Sequence, residues 1–518
     1  METKPIIDIK AQKILDIEAN VREFYTEVTQ YFRGIYKTYE YGRILIPFLL
    51  LKKELGQDFL KINYSTLEEI VMHTLDTSTQ DIVNDAEVQQ KIIDFEKRGI
   101  LQNILESIDK LDFKDYAKGD ILEFFKYFTY KTIESFDTDN GEFYTPFEVT
   151  YLISRLLIDT TRDNTNVKIY EPTCGVGWLL HGVNDLFGND AMLYGQEVNK
   201  EAFLHCKIGM NFIGIDYSNI FLGNTLIDDK LKDHKDFDYA IANPPFGISW
   251  KSEQPSIEQE LKESNNRFTL GLPPSSDSQL LFMQICLNKL NDTGRLASIH
   301  NGSVLFTGDA GSGSSECRKY IVENDLLEAI VQLPTGIFYN TSIPTYVFIL
   351  NKNKPAHRKG KIQLIDASKH SEKMRKPQGC KTQEMTKKQM DEVLYIYDSF
   401  IECENSKIYD NEEFIYKSIT VEFPKLDDNG EPILKKGQMV PDSEKRSIEN
   451  IKVNEEFDES ELEDDKAWID HSKTKIGCEI PFTRYFYTCE KPPKTENLGT
   501  EIMQIMKEVD KFTMSIFN

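Results

Sequence analysis

No two of the eight cysteines in the sequence stand at Cys-x-x-Cys spacing. Scattered through a large chain without that spacing, they indicate neither a disulfide framework nor a zinc site, so free thiols and no metal centre are expected. Long apolar runs are also missing. The longest, residues 44–51, is interrupted by Pro47, and it is far shorter than the roughly 20 residues a bilayer-spanning helix needs. The start, Met1-Glu2-Thr3-Lys4-Pro5, lacks a basic patch followed by an apolar stretch, so a cytoplasmic location with no membrane contact is expected. Positive charge is scarce: 61 Lys and Arg stand against 85 Asp and Glu, a net charge of −24. Gripping nucleic acid requires cations against phosphates. Any such contact would therefore need cations from a partner, or a local basic cleft averaged away in the total.

What is present describes a folded chain. Hydrophobic residues make up 40% and aromatic residues 11% of 518 positions, too many residues for one ordinary core, so two to four domains are expected. Through residues 1–135 the apolar positions recur at helical spacing, as in Leu67, Ile70, Val71 and Leu75, which predicts a helical domain. From about 136 to 372, short apolar runs at 167–170, 192–194, 238–242, 296–299, 327–332 and 346–350 alternate with amphipathic stretches. That alternation predicts an α/β, Rossmann-like, mostly parallel sheet covered on both faces. Residues 373–518 turn polar and predict a mostly helical or irregular extension with an acidic linker at 454–465. They end in an apolar stripe, Ile502, Ile505, Met506, Val509, Phe512 and Ile516, which packs on its own domain or docks on a partner helix.

Three stretches carry chemistry. Glu171-Pro172-Thr173-Cys174-Gly175-Val176-Gly177 ends one predicted strand and opens a helix; glycines there let backbone approach a ligand, and the helix N-terminus offers free N–H groups. Glu197 ends the following strand about twenty residues later, where an acidic side chain in this topology receives ribose hydroxyls; a helix-capping carboxylate is the alternative. Asn224 falls at the next strand end, placed either to read an adenine edge or to hold a turn.

Asn243-Pro244-Pro245-Phe246 follows the strand at 238–242. Two prolines stop the strand and stiffen the bend, so the Asn243 side-chain oxygen and the Pro244 carbonyl can aim at one spot. Both are acceptors. An aromatic amine such as adenine N6 is a poor nucleophile, and two acceptors on its hydrogens favour a pyramidal nitrogen with a free lone pair. Asn cannot act as a base near neutral pH, so positioning and charge stabilisation would carry the rate. Phe246 offers a stacking face for a base flipped out of its duplex. Upstream, Tyr144-Thr145-Pro146 reads as the start of a helix.

In this order, these residues resemble the modification subunits of type I restriction-modification enzymes, within the N6-adenine class of DNA methyltransferases. The likeness runs through Gly141-Glu142-Phe143-Tyr144-Thr145-Pro146, the Glu171 loop, Glu197, Asn243 to Phe246, residues 267–274, Val304-Leu305-Phe306 and Leu333-Pro334-Thr335-Gly336-Ile337-Phe338 to Thr345. Near the end, Ala467-Trp468-Ile469-Asp470 and residues 479–486 continue it. The resemblance implies that S-adenosyl-L-methionine is the cofactor. Tyr144, Thr145 and Pro146 would lie by its methionine portion, Glu171, Thr173, Gly175 and Gly177 would form its loop, and Glu197 would hold its ribose.

It also implies double-stranded DNA as substrate and two modification subunits per specificity subunit, to which a restriction motor subunit can be added. Delegated base reading would account for the acidity. Residues 267–274 become a DNA-facing lip rather than an ordinary loop, and the Gly- and Ser-rich residues 308–315 a flexible surface loop. Three positions depart from the family pattern: Glu171 stands for the usual Asp, Trp178 for a small residue, and Asn224 for a common Asp. A stand-alone adenine methyltransferase and a catalytically silent assembly subunit are the competing readings.

Overall fold

The computed structural model describes residues 6–487, apart from 86, 115, 134–143, 160, 162–164, 189, 458–461 and 463–465, together with residue 506. Two compact units result, residues 1–480 and 481–518. In the second, a short helix, Phe482–Phe486, brings its two phenylalanine rings to 5.0 Å. The terminal apolar stripe lies outside the described residues apart from Met506. Among the described residues no helix is long and apolar enough to cross a membrane.

The N-terminal part is helical, as its periodicity predicts, with helices at Ile6–Thr29, Tyr41–Leu55, Leu67–Thr74, Thr77–Asp85, Val88–Lys97, Leu101–Asp109 and Lys118–Ile133. Leu67, Val71 and Leu75 are buried, the apolar face the spacing implies. Phe125, on the last of these helices, fixes their place against the rest of the unit. Its ring centroid lies 5.8 Å from that of Trp178 and 5.6 Å from that of Phe212. Position 209 has to be glycine for this, since a Cβ there would sit 2.8 Å from the Phe125 ring.

A nine-stranded sheet forms the centre. In chain order the first eight strands are β1 (Lys168–Glu171), β2 (Met192–Glu197), β3 (Ile220–Leu222), β4 (Phe237–Ala242), β5 (Leu290–Asn301), β6 (Leu327–Gln332), β7 (Thr345–Asn351) and β8 (Lys361–Asp366). Two more, β9 (Glu372–Gln378) and β10 (Lys381–Glu384), form a separate hairpin, and β11 (Ser406–Asp410) completes the large sheet. Its order is β11-β8-β6-β7-β5-β4-β1-β2-β3. Neighbours from β3 to β5 are parallel, β7 runs antiparallel to both β5 and β6, and β11 runs antiparallel to β8. All six expected strands are present. The sheet also runs past residue 372, because Ser406–Asp410 pairs with Lys361–Asp366.

Strand order explains where a site can form. From β1 the chain steps to β2 and β3 on one side, then crosses back to place β4 on the other. The carboxyl ends of these parallel strands open together there, at the point where order reverses, and leave a crevice.

The C-terminal extension corrects the expectation of helix or irregular chain. Ile415–Glu422 is the central strand of a four-stranded antiparallel sheet, with Ser447–Lys452 on one side and both Trp468–Ile469 and Lys475–Cys478 on the other. Ile415, Ile419 and Val421 are buried, while Ser447–Lys452 is mostly exposed and polar, so alternation is too weak to read in advance. Arg318, fully buried, ties this sheet to the larger one: its guanidinium donates to the carbonyls of Cys478, Val304 and Gly308. Residues 308–315 are likewise packed rather than free. Ser312 caps the helix Gly313–Glu323, and a Cβ on Gly313 would stand 1.9 Å from the Leu272 carbonyl oxygen.

Candidate active site

Glu171 is the last residue of β1, and the chain then turns through two left-handed glycines, Gly175 at φ 53° and Gly177 at φ 88°, into the helix Trp178–Leu186. The loop is held by its neighbours. Cys174 N–H donates to the Gln196 carbonyl, and Gly175 N–H donates to Glu197 Oε2 at 2.8 Å. Glu197 Oε1 accepts from the Asn199 N–H at 2.7 Å, so this carboxylate couples the ends of β1 and β2. The Thr225 hydroxyl donates to the Pro172 carbonyl at 2.6 Å and closes the turn from the side of β3.

Glu171 itself is 2% exposed, and its Oε2 has no hydrogen-bond partner. Burial first, then the nearby Cys206 and Glu197, raises its carboxyl well above the ordinary range, only partly offset by the Leu180 backbone. The Thr173 hydroxyl is also without a partner. Asn224 is committed elsewhere. Its Oδ1 accepts from Leu226 N–H and its Nδ2 donates to Glu253, the local turn arrangement favoured by Asn.

Across the switch point, Asn243 follows the end of β4. Its Nδ2 donates to the Thr145 hydroxyl at 3.1 Å, which leaves Oδ1 buried and unpartnered. Pro244 is buried and Pro245 exposed. Phe246 is half-buried, its ring meeting Phe338 edge-on at 6.1 Å, so the Leu333 to Phe338 motif supports it. Tyr144 hydrogen-bonds His205 through its hydroxyl at 3.1 Å.

One cavity of about 480 Å³ gathers these groups. Tyr144, Thr145, Glu171, Thr173, Gly175, Glu197, Asn224 and Asn243-Pro244-Pro245-Phe246 all line it. Pro146 and Gly177 do not. Pro146 precedes the helix Phe147–Leu157 and accepts the Thr150 N–H, and Gly177 caps the next helix, where a Cβ would stand 2.7 Å from Cys206 Sγ. Gly141, Glu142 and Phe143 lie outside the described residues. Trp178 lines the cavity from the helix side, only 4% exposed and wedged 4.8 Å from Phe147. Sequence reading gave no site role to Asn340, Thr341 and Ile343, which reach the cavity from the loop beyond Phe338. Ile343 and Ile248 are exposed at this site and give it apolar lips. Among the described residues no cluster of His, Cys, Asp or Glu is placed to hold a metal ion.

Arg267 is not part of any exposed lip. It is 4% exposed and holds Glu260, Asp229 and two backbone carbonyls, because a buried guanidinium needs partners for its donors.

Comparison with known proteins gives a consistent set of relatives. Residues 117–431 match the family model described as N-6 DNA Methylase. The chain is 33% identical over 329 residues to the Type I restriction enzyme MjaVII methylase subunit of Methanocaldococcus jannaschii, covering 61% of this chain and 54% of that protein. It is 28% identical over 288 residues to the MpnII methylase subunit of Mycoplasma pneumoniae, 52% of this chain and 51% of that one. The chain thus spans about half the length of the curated relatives it matches. Among solved structures, the type I restriction-modification system methyltransferase subunit from Streptococcus thermophilus superposes with a TM-score of 0.59 at 20% identity, covering 78% of this chain and 95% of that one. A modification subunit of a putative type I restriction enzyme from Vibrio vulnificus gives 0.53 at 17% identity, covering 82% and 95%. At these identities the two structures speak for the shared fold.

Proposed function

Because this chain belongs to the N-6 DNA methylase family, we propose that it transfers a methyl group from S-adenosyl-L-methionine to the N6 amine of a flipped adenine, as the modification subunit of a type I restriction-modification complex. The buried, unpartnered Asn243 Oδ1 at the sheet's switch point carries this reading. An acceptor left unsatisfied inside a cavity is costly unless a ligand donor meets it, and an exocyclic amine is such a donor. Asn243 and the Pro244 carbonyl hold the two amine hydrogens, Phe246 stacks on the purine, and the product's extra proton leaves to solvent.

The cavity suits the cofactor. Glu171 Oε2 and the Thr173 hydroxyl are free to accept and donate, and the glycine turn admits close approach. When bound there, S-adenosyl-L-methionine supplies an electrophilic methyl on a sulfonium. Glu171 would hold its ammonium group and Glu197 its ribose, with Tyr144 and Thr173 beside the methionine portion. DNA phosphates and base reading fall to a specificity subunit shared by two copies of this chain, consistent with a net charge of −24. A restriction motor subunit can join them, and a cytoplasmic location follows from such a partner set. The chain co-purified with its specificity subunit should deposit N6-methyladenine on DNA; nucleoside digests free of that base after prolonged incubation would refute the assignment.

Thr145 has a positioning role in this reading. By accepting the Asn243 amide N–H it decides which end of the amide faces the cavity. Thr145→Val should therefore cut kcat about tenfold, the worth of one hydrogen bond, with cofactor affinity unchanged, and Thr145→Ser should restore it. A rise in cofactor Kd with kcat intact would place Thr145 on the cofactor instead.

Glu171 gives a pH-dependent test. Its folded-state pKa is raised, so the stability it permits is fully present below the ordinary carboxylate value of 4.5 and is lost as pH climbs through the raised value. Glu171→Gln removes that loss. The ligand-free variant should melt higher than wild type near neutral pH, yet bind S-adenosyl-L-methionine more weakly. Parallel melting profiles from about pH 5 to 8 in the two proteins would contradict the burial argument.

A further inference from the structure

Trp178 walls two cavities. One is the site above; the other, about 590 Å³, lies between the helices Ile6–Thr29, Lys118–Ile133, Phe147–Leu157 and Trp178–Leu186. We propose that this second cavity is a binding site for an uncharged nucleoside, distinct from the cofactor site. Nothing in the proposed methyl transfer uses it.

Hydrogen-bonding capacity left unused by folding is the first observation. Thr150 Oγ1, Ser154 Oγ, Trp178 Nε1 and both ring nitrogens of His181 belong to residues that line this cavity, are buried, and have no partner. Their residues are 4%, 0%, 4% and 3% exposed respectively. A helical Ser or Thr hydroxyl usually bonds the carbonyl one turn back, and Thr29, Ser107 and Thr132 of this protein do so. Thr150 and Ser154 do not. They stand four residues apart on one helix face, and His181 stands three residues from Trp178 on the facing helix. The two helices cross so tightly at Gly182 that a Cβ there would sit 2.3 Å from the Thr150 methyl. The polar floor is therefore preorganised.

Chemistry of the walls selects the ligand. Phe147 and Tyr151 supply ring surface, and the residues beneath them carry hydroxyls, an indole N–H and an imidazole, which pair with the alternating donors and acceptors of a nucleobase and sugar. Burial, with Lys126 and His205 adding to it, pushes the His181 pKa down to about 3, so the floor is uncharged at neutral pH. Glu18, Glu123 and Asp185 surround it against one cation, Lys126, which Glu123 already pairs. A phosphate is disfavoured there.

The test is isothermal titration of the full chain with adenosine after S-adenosylhomocysteine has saturated the first cavity. Adenosine should still bind, below millimolar Kd, and adenosine 5′-monophosphate should bind at least tenfold more weakly. The near-isosteric pair Thr150→Val and Ser154→Ala should lose at least tenfold in affinity, whereas Asn243→Ala should lose nothing. No heat with millimolar adenosine, guanosine or cytidine means a cavity that holds only water, and overturns the proposal. So does displacement by S-adenosylhomocysteine, equal binding of the monophosphate, or undiminished binding by the double variant. Should S-adenosylhomocysteine itself give no heat, the methyl-transfer reading fails while the adenosine titration still decides this site. His181→Phe, checked for an unchanged melting temperature, gives a second route should the double variant fold poorly.

Discussion

Asn243→Ala lowers turnover by about 10³-fold while cofactor affinity stays within about twofold, since losing one preorganised polar group at a reacting centre costs on the order of 10²–10³ and this one also sets the geometry of the amine. The side chain's two ends have separate duties: Nδ2 is spent on Thr145, and Oδ1 is spent on nothing within the protein. Removing the side chain therefore costs the fold little, since a half-buried position just past a strand end loses one part-buried hydrogen bond. It takes from the substrate a buried side-chain acceptor that the protein leaves unspent. Single-turnover rates measured at saturating DNA and cofactor, beside a titration of cofactor binding, separate the two effects. Turnover within a factor of ten of wild type would move the chemistry away from this bend. Asn243→Asp gives a graded comparison, because its carboxylate accepts from the amine but also accepts where Thr145 expects a donor.

The part of this architecture that was readable in the sequence is the part where local pattern and tertiary role coincide. Strands β1, β2 and β4 are buried on both faces, so they appear as apolar runs, and each stops at or directly before a residue that breaks the run: Glu171, Glu197 and Asn243. In a parallel sheet those ends converge, so the order of the residues along the chain already implies a shared crevice. Asn340, Thr341 and Ile343 carry no such signal. They reach the cavity from a loop beside Phe338, whose ring meets Phe246 in a contact between segments that local sequence does not relate.

Other features mislead for physical reasons. Ser447–Lys452 pairs through its backbone with Ile415–Glu422 while its side chains stay in water, so it reads as an irregular polar segment. Asn224 stands at the expected strand end, yet its amide is spent on Leu226 N–H and Glu253. Trp178, standing where the family has a small residue, is bulky enough either to crowd the pocket or to close it from behind. In the fold its ring is clamped between Phe125 and Phe147 and forms a wall of the cavity.

Arg267 is where charge in a sequence is most easily misread, and Arg267→Met should cost about 3–5 kcal/mol of stability, the penalty for stranding buried countercharges. Its guanidinium donates to both oxygens of Glu260 at 2.8 and 2.7 Å, to Asp229 at 3.1 Å, and to the carbonyls of Thr225 and Leu226 at 2.7 and 2.8 Å. Asp229 is shared with Lys289 at 3.0 Å, so two buried cations balance two carboxylates. Deleting the arginine leaves Asp229 to Lys289 alone and strips Glu260 of its buried guanidinium. The two carbonyls continue the turn that begins at Asn224, and Thr225 in turn holds Pro172, so Arg267 braces the cavity wall from beneath. Arg267→Lys keeps the charge but loses the planar fork, and should fall between the two. A phosphate-binding arginine behaves oppositely: its loss would leave the unfolding midpoint in place and reduce the salt slope of DNA binding by about one. Urea unfolding of the chain beside salt-dependent DNA binding of the assembled complex distinguishes these outcomes, and an unchanged midpoint with a shallower slope would return Arg267 to the DNA surface.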